Sequence, residues 1–169
     1  MSERGAGEPA PSPKSQDRVA SSSHTIRLHG PWKCELCNAA DATSEIVTVQ
    51  LPVDWSSFLR ERIWASMIWK RSFGRPTNLG DRERVELVIS NLRGDVIVVL
   101  NEVPLEPIAR TGANTRFAVT DRLEVRNQLV LEIRAPSSES PVAGQPAIVK
   151  DESTAGPFGQ VYLEIFTSG

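Results

Sequence analysis

Tyrosine occurs once in this chain of 169 residues, and cysteine and histidine twice each. The two cysteines, Cys34 and Cys37, sit three apart in CELC. Residues three apart on a strand point to opposite faces, so a disulfide between them would distort the ladder, and no disulfide scaffold is expected. No apolar run approaches the ~18 residues of a membrane span. The N-terminal residues lack the apolar stretch of a secretory leader, which makes the cytoplasm the expected compartment. Charge of one sign is missing too: 19 Lys and Arg are interspersed with 21 Asp and Glu, for a net charge of −2. That balance argues against a nucleic-acid or anionic-membrane partner, which draws a clustered basic face. Also absent are a phosphate-cradling glycine loop, a nucleophile elbow and a histidine beside an Asp/Ser set. No catalytic residue and no cofactor is therefore assigned.

What is present is a series of short alternating segments divided by turn residues. Residues 1–23 hold Pro, Ser, Gly and charge with almost no bulky apolar side chains. They cannot offset the entropy of ordering and read as a disordered tail, with one folded domain over 24–169. TIRLHGPWKCEL is an extended region broken at Gly30-Pro31, and EIVTVQLP alternates up to Pro52. Asp54 is placed to cap one or two helical turns, with Trp55, Phe58 and Leu59 at helical spacing. Strand spacing then puts Met67, Trp69, Arg71 and Phe73 on one face. ERVELVISNL alternates Val85, Leu87 and Ile89. The run Val96 to Leu100 is apolar on both faces, which predicts a central strand covered on both sides. TRFAVTDRLEVRNQLVLEIRA reads as two strands around a turn at Thr120-Asp121. Residues 137–148 form a Pro/Ser/Gly loop, and QVYLEIF closes the chain. About eight strands, one weak helix and no helix-separated strand pairs predict an all-β, two-sheet β-sandwich.

The order of several motifs carries a resemblance. GPW at Gly30 to Trp32, LPVDW at Leu51 to Trp55, and IWKRSF at Ile68 to Phe73 resemble the N-terminal sugar-binding domain of glycoside hydrolase family 2. In that domain a Gly-x-Trp strand, a Pro-x-x-Trp segment and a Trp-Tyr-Arg-Arg-x-Phe strand occur in this order. Val85 to Leu105 is similar to its paired strands ending in an Asn-Gly hairpin. Arg116 to Ile133 is similar to its Phe-x-x-Asp-Val-Thr-x-x-Leu-x-x-Gly-x-Asn-x-Leu signature. The resemblance implies a galactose-binding-domain-like jelly roll, with Trp32 and Trp69 in the core, Thr120 capping a turn and Asn127 starting a strand. Glu102 stands where the family has Gly, which argues against a relaxed Asn-Gly turn. The family's catalytic glutamates lie in a separate barrel for which this chain has no room, so activity does not carry over.

Loops at the ends of a rigid sandwich are where binding residues are expected. Trp55 and Trp64 flank the irregular SSFLRERI segment and are the candidate stacking rings, because an aromatic face meets the C–H face of a sugar. Arg110 and Asn114, in ARTGANT, are the candidate polar partners. Arg71 is either stacked at a sheet edge or paired with a carboxylate. Asn101 reads as a turn former bonded to its own backbone. His24, His29, Cys34 and Cys37 do not converge on an extended chain, so no metal site is assigned, and Cys34 reads as a small buried hydrophobe. The 150–156 segment carries oxygen ligands without a calcium spacing. Three functional classes follow: a carbohydrate-binding-like module, a protein-interaction or homo-oligomeric assembly module on the same fold, and, least supported, a stand-alone hydrolase.

Overall fold

The structure, a computed structural model, describes residues 23–38, 43–60, 64–135 and 156–167. Its strands are β1 (Ser23–Arg27), β2 (Trp32–Cys37), β3 (Ser44–Val49), β4 (Ser66–Gly74), β5 (Glu83–Ser90) and β6 (Asp95–Leu100), followed by β7 (Val103–Pro104), β8 (Ala109–Thr111), β9 (Asn114–Ala118), β10 (Arg126–Arg134) and β11 (Val161–Thr167). The helical pieces are α1 (Trp55–Leu59) and a 3-10 turn at Thr120–Arg122. Two antiparallel sheets form a sandwich: one of five strands in the order β1-β11-β5-β9-β8, and one of six in the order β3-β2-β4-β10-β6-β7. The expected tail lies outside the described residues except at Ser23, where β1 begins. The 137–148 loop and most of the 150–156 segment lie outside them as well. Among the described residues no helix is long and apolar enough to cross a membrane.

The two-residue period of each strand puts one side chain set inside. Val85, Leu87 and Ile89 of β5 face Leu129, Leu131 and Ile133 of β10 across the core, all at most 2% exposed. Trp32, Cys34, Met67 and Trp69 are fully buried beside them. The Trp32 indole N–H donates to the Leu28 carbonyl at 2.8 Å, which satisfies its one polar atom. Cys34 and Cys37 are both free thiols. Gly30, at φ +146°, passes within 3.1 Å of the Val49 carbonyl measured from where a Cβ would stand, so the link between the sheets needs glycine there. His24 lies in the five-stranded sheet and the cysteines in the other, while His29 Nδ1 lies 3.2 Å from the Leu51 carbonyl. No group of three or more His, Cys, Asp and Glu suited to a metal forms among the described residues.

Several sequence expectations are corrected. The apolar β6 is not central: beyond it lies only the two-residue β7, and its outward Ile97 and Val99 are half-buried. The strands on either side of Thr120 fall in different sheets, β9 in one and β10 in the other, so that turn is a crossover. The same holds for β5 and β6. Thr120 caps nothing. Its hydroxyl accepts from Val85 N at 2.8 Å and lies 3.3 Å from Val85 O, tying the crossover to β5. The β6–β7 hairpin keeps the geometry of an Asn-Gly turn in spite of Glu102: Asn101 (φ 50°) and Glu102 (φ 68°) both occupy the left-handed region. Glutamate there costs roughly 1–2 kcal/mol.

Asn101 does not bond its own backbone. Its amide donates to Arg122 O at 2.9 Å and to Asn127 Oδ1 at 3.0 Å, and its own Oδ1 accepts from Gln128 N. Asn127, 2% exposed, in turn accepts from Glu124 N and donates to Glu124 O, both at 2.8 Å, and reaches Phe73 O at 3.5 Å. A buried amide with donors and acceptors all engaged joins three chain segments at one end of the sandwich.

Candidate functional site

The residues picked from the sequence collect at the opposite end. Ser90 closes β5 and Asp95 opens β6, so the short link between them marks that end. Ser90 pairs with Asn114, and Asn91 N donates to Ala113 O. Arg93 N donates to Pro157 O, next to Phe158. Trp64 lies two residues before β4, whose first residue pairs with the last of β10. Proximity is not convergence, however. Arg110 pairs with Thr115 on the core side of its sheet, whereas Asn114 shares the outer side with Arg116. The two proposed polar partners therefore lie on opposite faces.

Trp55 is core, 7% exposed, and presents no ring face to a ligand. Its indole N–H donates to Phe158 O at 2.8 Å. Its ring packs against Phe58, Trp69 and Phe158 at centroid distances of 5.7, 5.3 and 5.2 Å. A Cβ on Gly156 would stand 2.0 Å from this ring, so the C-terminal segment closes over it only because residue 156 is glycine. The sequence reading failed here because the cover comes from residues about a hundred positions away. Trp64 is half-buried against the same core. Asp54 caps α1 as expected, accepting from Ser56 N at 3.1 Å and Ser57 N at 3.4 Å. Hydrogen bonds from the Ser57 and Ser56 hydroxyls, then from Ser57 N, lower its carboxyl to about 2. Arg71 turns to a backbone oxygen rather than to a carboxylate. Its guanidinium donates to the Pro31 carbonyl at 3.1 Å, while its Nε and the Trp69 Nε1, both buried, have no hydrogen-bond partner among the described residues.

The best-built polar arrangement lies elsewhere, on the outer side of the five-stranded sheet. The register sets one row across it as Arg27, Tyr162, Val88, Arg116 and Ala109, and the next as Thr25, Glu164, Glu86 and Ala118. Glu164 and Glu86 are direct cross-strand partners, a like-charge placement that destabilises a sheet when unrelieved. Arg116 relieves it: one terminal nitrogen donates to Glu164 at 2.7 Å and to Glu86 at 2.9 Å. The three side chains are only 16–24% exposed. Partial burial pulls the guanidinium pKa down, but the hydrogen bonds it donates to Glu164 and Glu86, together with their charges, outweigh it, and the net shift is upward. The Phe166 ring lies 5.9 Å from the guanidinium carbon. Val88 is fully buried on this outer side, between Tyr162 and Arg116.

Chemically, this face offers two half-buried aromatic rings, Tyr162 and Phe166, seven-ångström steps apart from Glu164 along β11 (~7 Å per two residues). Between them stand one fixed cation and two fixed carboxylates. Sequence reasoning passed it by, although a signal existed: Glu86, Arg116, Tyr162 and Glu164 all occupy outward positions of alternating segments.

No protein-family model matches the sequence, and no curated protein matches it. Solved structures do match in shape. Over 92% of this chain the fold follows 31% of a Bifidobacterium dentium β-glucuronidase complexed with coumarin-3-O-glucuronide, at TM-score 0.59 and 18% identity. It follows 33% of a Faecalibacterium prausnitzii β-glucuronidase (TM-score 0.54, 15% identity, 91% of this chain). It also follows 28% of a Ruminococcus gnavus β-glucuronidase (TM-score 0.59, 10% identity, 86% of this chain). The chain thus spans at most about a third of these proteins. At such identities the shared feature is the fold.

Proposed function

We propose that the chain is a non-catalytic, carbohydrate-binding-like β-sandwich module whose ligand face is the outer side of the five-stranded sheet. The observation that supports this most is the grouping of Tyr162 and Phe166 with the Arg116–Glu86–Glu164 triad. A sugar needs an aromatic face for its C–H groups and both donors and acceptors for its hydroxyls, and this surface has all three. The shape shared with parts of β-glucuronidases, and the motif order resembling a family 2 sugar-binding domain, support carbohydrate as the ligand class. The same triad argues against hydrolysis. Glycoside cleavage uses one carboxyl free to give its proton to the leaving oxygen, whereas Arg116 engages both of these glutamates, at 2.7 and 2.9 Å.

Water competes for each hydrogen bond on an open face, so a monosaccharide or short glycan should bind with Kd in the millimolar range, roughly 4 kcal/mol. Titration calorimetry against a glycan panel tests this. Tyr162→Ala should abolish binding while circular dichroism stays native, and Trp64→Ala should leave it unchanged. Binding that survives Tyr162→Ala but not Trp64→Ala would return the site to the loop end. No binding to any glycan would favour the second reading, an assembly module that keeps the fold without a sugar site. One observation favours that reading: Trp32, Trp55 and Trp69 are interior and Trp64 is half-buried against the core, so no tryptophan stands fully exposed to stack a ring among the described residues.

A further inference from the structure

The outer side of the six-stranded sheet carries a different pattern. One cross-strand row runs Ile46 (β3), Glu35 (β2), Ile68 (β4), Glu132 (β10) and Ile97 (β6). The next runs Thr48, Lys33, Lys70, Val130, Val99 and Pro104. The outward side of a two-layer antiparallel sandwich normally meets water and alternates toward polar residues. Here five β-branched aliphatics occupy it: Ile46 is 67% exposed, and Ile68, Ile97, Val99 and Val130 are half-buried.

We propose that this face is the contact surface between two copies of this chain, related by a two-fold axis lying in the contact plane along the rows. The argument is charge complementarity. The first row carries two carboxylates, Glu35 and Glu132, and the second carries two ammonium groups, Lys33 and Lys70. The patch is neutral as a whole, so two copies approach without net repulsion. Rotation about that axis lays the acidic row of one copy on the basic row of the other. Glu35 then meets Lys33 of the partner subunit and Ile97 meets Val99 of the partner subunit, while the stems of Lys70 and Glu132 lie over Ile68 and Val130 of the partner subunit. A two-fold axis along β4 would instead bring Glu35 onto Glu132 of the partner subunit, and like charges oppose that arrangement. The pattern therefore selects one orientation, as an isologous contact requires. Within one copy the Lys70–Glu35 pair, 3.7 Å apart and 43% and 30% exposed, leaves both groups accessible to a partner.

Five strands at ~4.8 Å spacing and nine-residue strands at ~3.4 Å per residue give a face of roughly 20 by 27 Å. That is about 540 Å² per partner, below the ~800 Å² of a standard interface, so the contact belongs to the small, transient class, for which an affinity in the micromolar range is expected. The inference does not depend on the sugar reading, which concerns the other sheet.

Sedimentation equilibrium from about 1 to about 200 µM, bracketing that affinity, is the test. The wild type should move from monomer to dimer across the range. Ile46→Glu, at a site exposed enough to leave the fold intact, and Ile68→Glu should each weaken the dimer at least about tenfold. Lys33→Glu should weaken it similarly, and Lys33→Glu combined with Glu35→Lys should restore it, a rescue that a folding defect would not give. Thermal melts followed by circular dichroism confirm that each variant is folded. A wild type that stays monomeric throughout overturns the proposal. So does a dimer indifferent to Ile46→Glu and Lys33→Glu, or a double swap that fails to rescue.

Discussion

Arg116 and Lys70 both point outward from strands with neighbours on each side, and both stand beside glutamate, yet their surroundings differ. Arg116 reaches two carboxylates at 2.7 and 2.9 Å, with all three side chains 16–24% exposed and an aromatic ring nearby. Lys70 reaches one at 3.7 Å, with 43% and 30% exposure, among isoleucine and valine. On the five-stranded sheet the polar groups are partly sheltered, so geometry and charge are coupled and each member is costly to lose. On the six-stranded sheet the charges stay in water and the aliphatic groups between them carry the surface's driving force for contact. The same core thus supports one face suited to directional recognition and one suited to apolar association.

The largest expected effect separates core from face on a single strand. Phe117, 2% exposed, points inward from β9 beside the outward Arg116, and Phe117→Ala should cost about 3–5 kcal/mol in urea unfolding. A cost at the level of a surface change would mean that the register of β9 is wrong. Arg116→Met comes next, at about 2 kcal/mol near neutral pH, because it strands two facing carboxylates. Removing one of the two carboxylates as well should recover part of that loss, because like charges then no longer face each other across β5 and β11. Urea curves of Arg116→Met and of Arg116→Met combined with Glu86→Gln measure it, and an equal loss in both would show that the triad is not electrostatically coupled.

A smaller effect belongs to the sandwich end. The Asp54 carboxyl falls from 3.8 to about 2 on folding through the Ser57 and Ser56 hydroxyl bonds. A lowered folded-state pKa contributes stability above the unfolded value and loses it as pH falls through the folded one. Asp54→Ala should therefore lower Tm at pH 5, with the gap to the wild type closing between pH 3.8 and about 2. A gap that stays constant over that range would show that the cap contributes nothing through its charge. The smallest effect is Lys70→Met, below about 0.5 kcal/mol by the same urea assay, since an exposed pair at this distance is screened. A loss matching that of Arg116→Met would erase the distinction between the two faces.

Much of the fold could be read from local pattern. Alternation placed β4, β5 and β11 with their inward residues, Asp54 declared its cap, and Gly30-Pro31 marked the break between β1 and β2. What one-dimensional period does not encode is which strands become neighbours. The apolar β6 looked central because both of its faces are aliphatic; in fact one of them meets an outer surface. Trp55 looked free because its flanks are irregular, but its cover, Gly156 to Phe158, arrives from the far end of the chain. For the Arg116 triad, alternation gives the outward positions but not the meeting, since Glu86 and Glu164 lie 30 and 48 residues from Arg116 and join it only once β5 sits between β9 and β11.

The buried Asn127 amide has a kinetic meaning. Its hydrogen bonds span 26 residues to Asn101 and 54 to Phe73, so it can close only after β4, β6 and β10 have already come together. Contacts made after the folding barrier slow escape from the native state without hastening arrival. This small knot acts as a latch on unfolding, and Asn127→Leu should steepen the unfolding rate while leaving the refolding rate nearly unchanged; a chevron in which the refolding arm falls instead would place the knot in the folding nucleus.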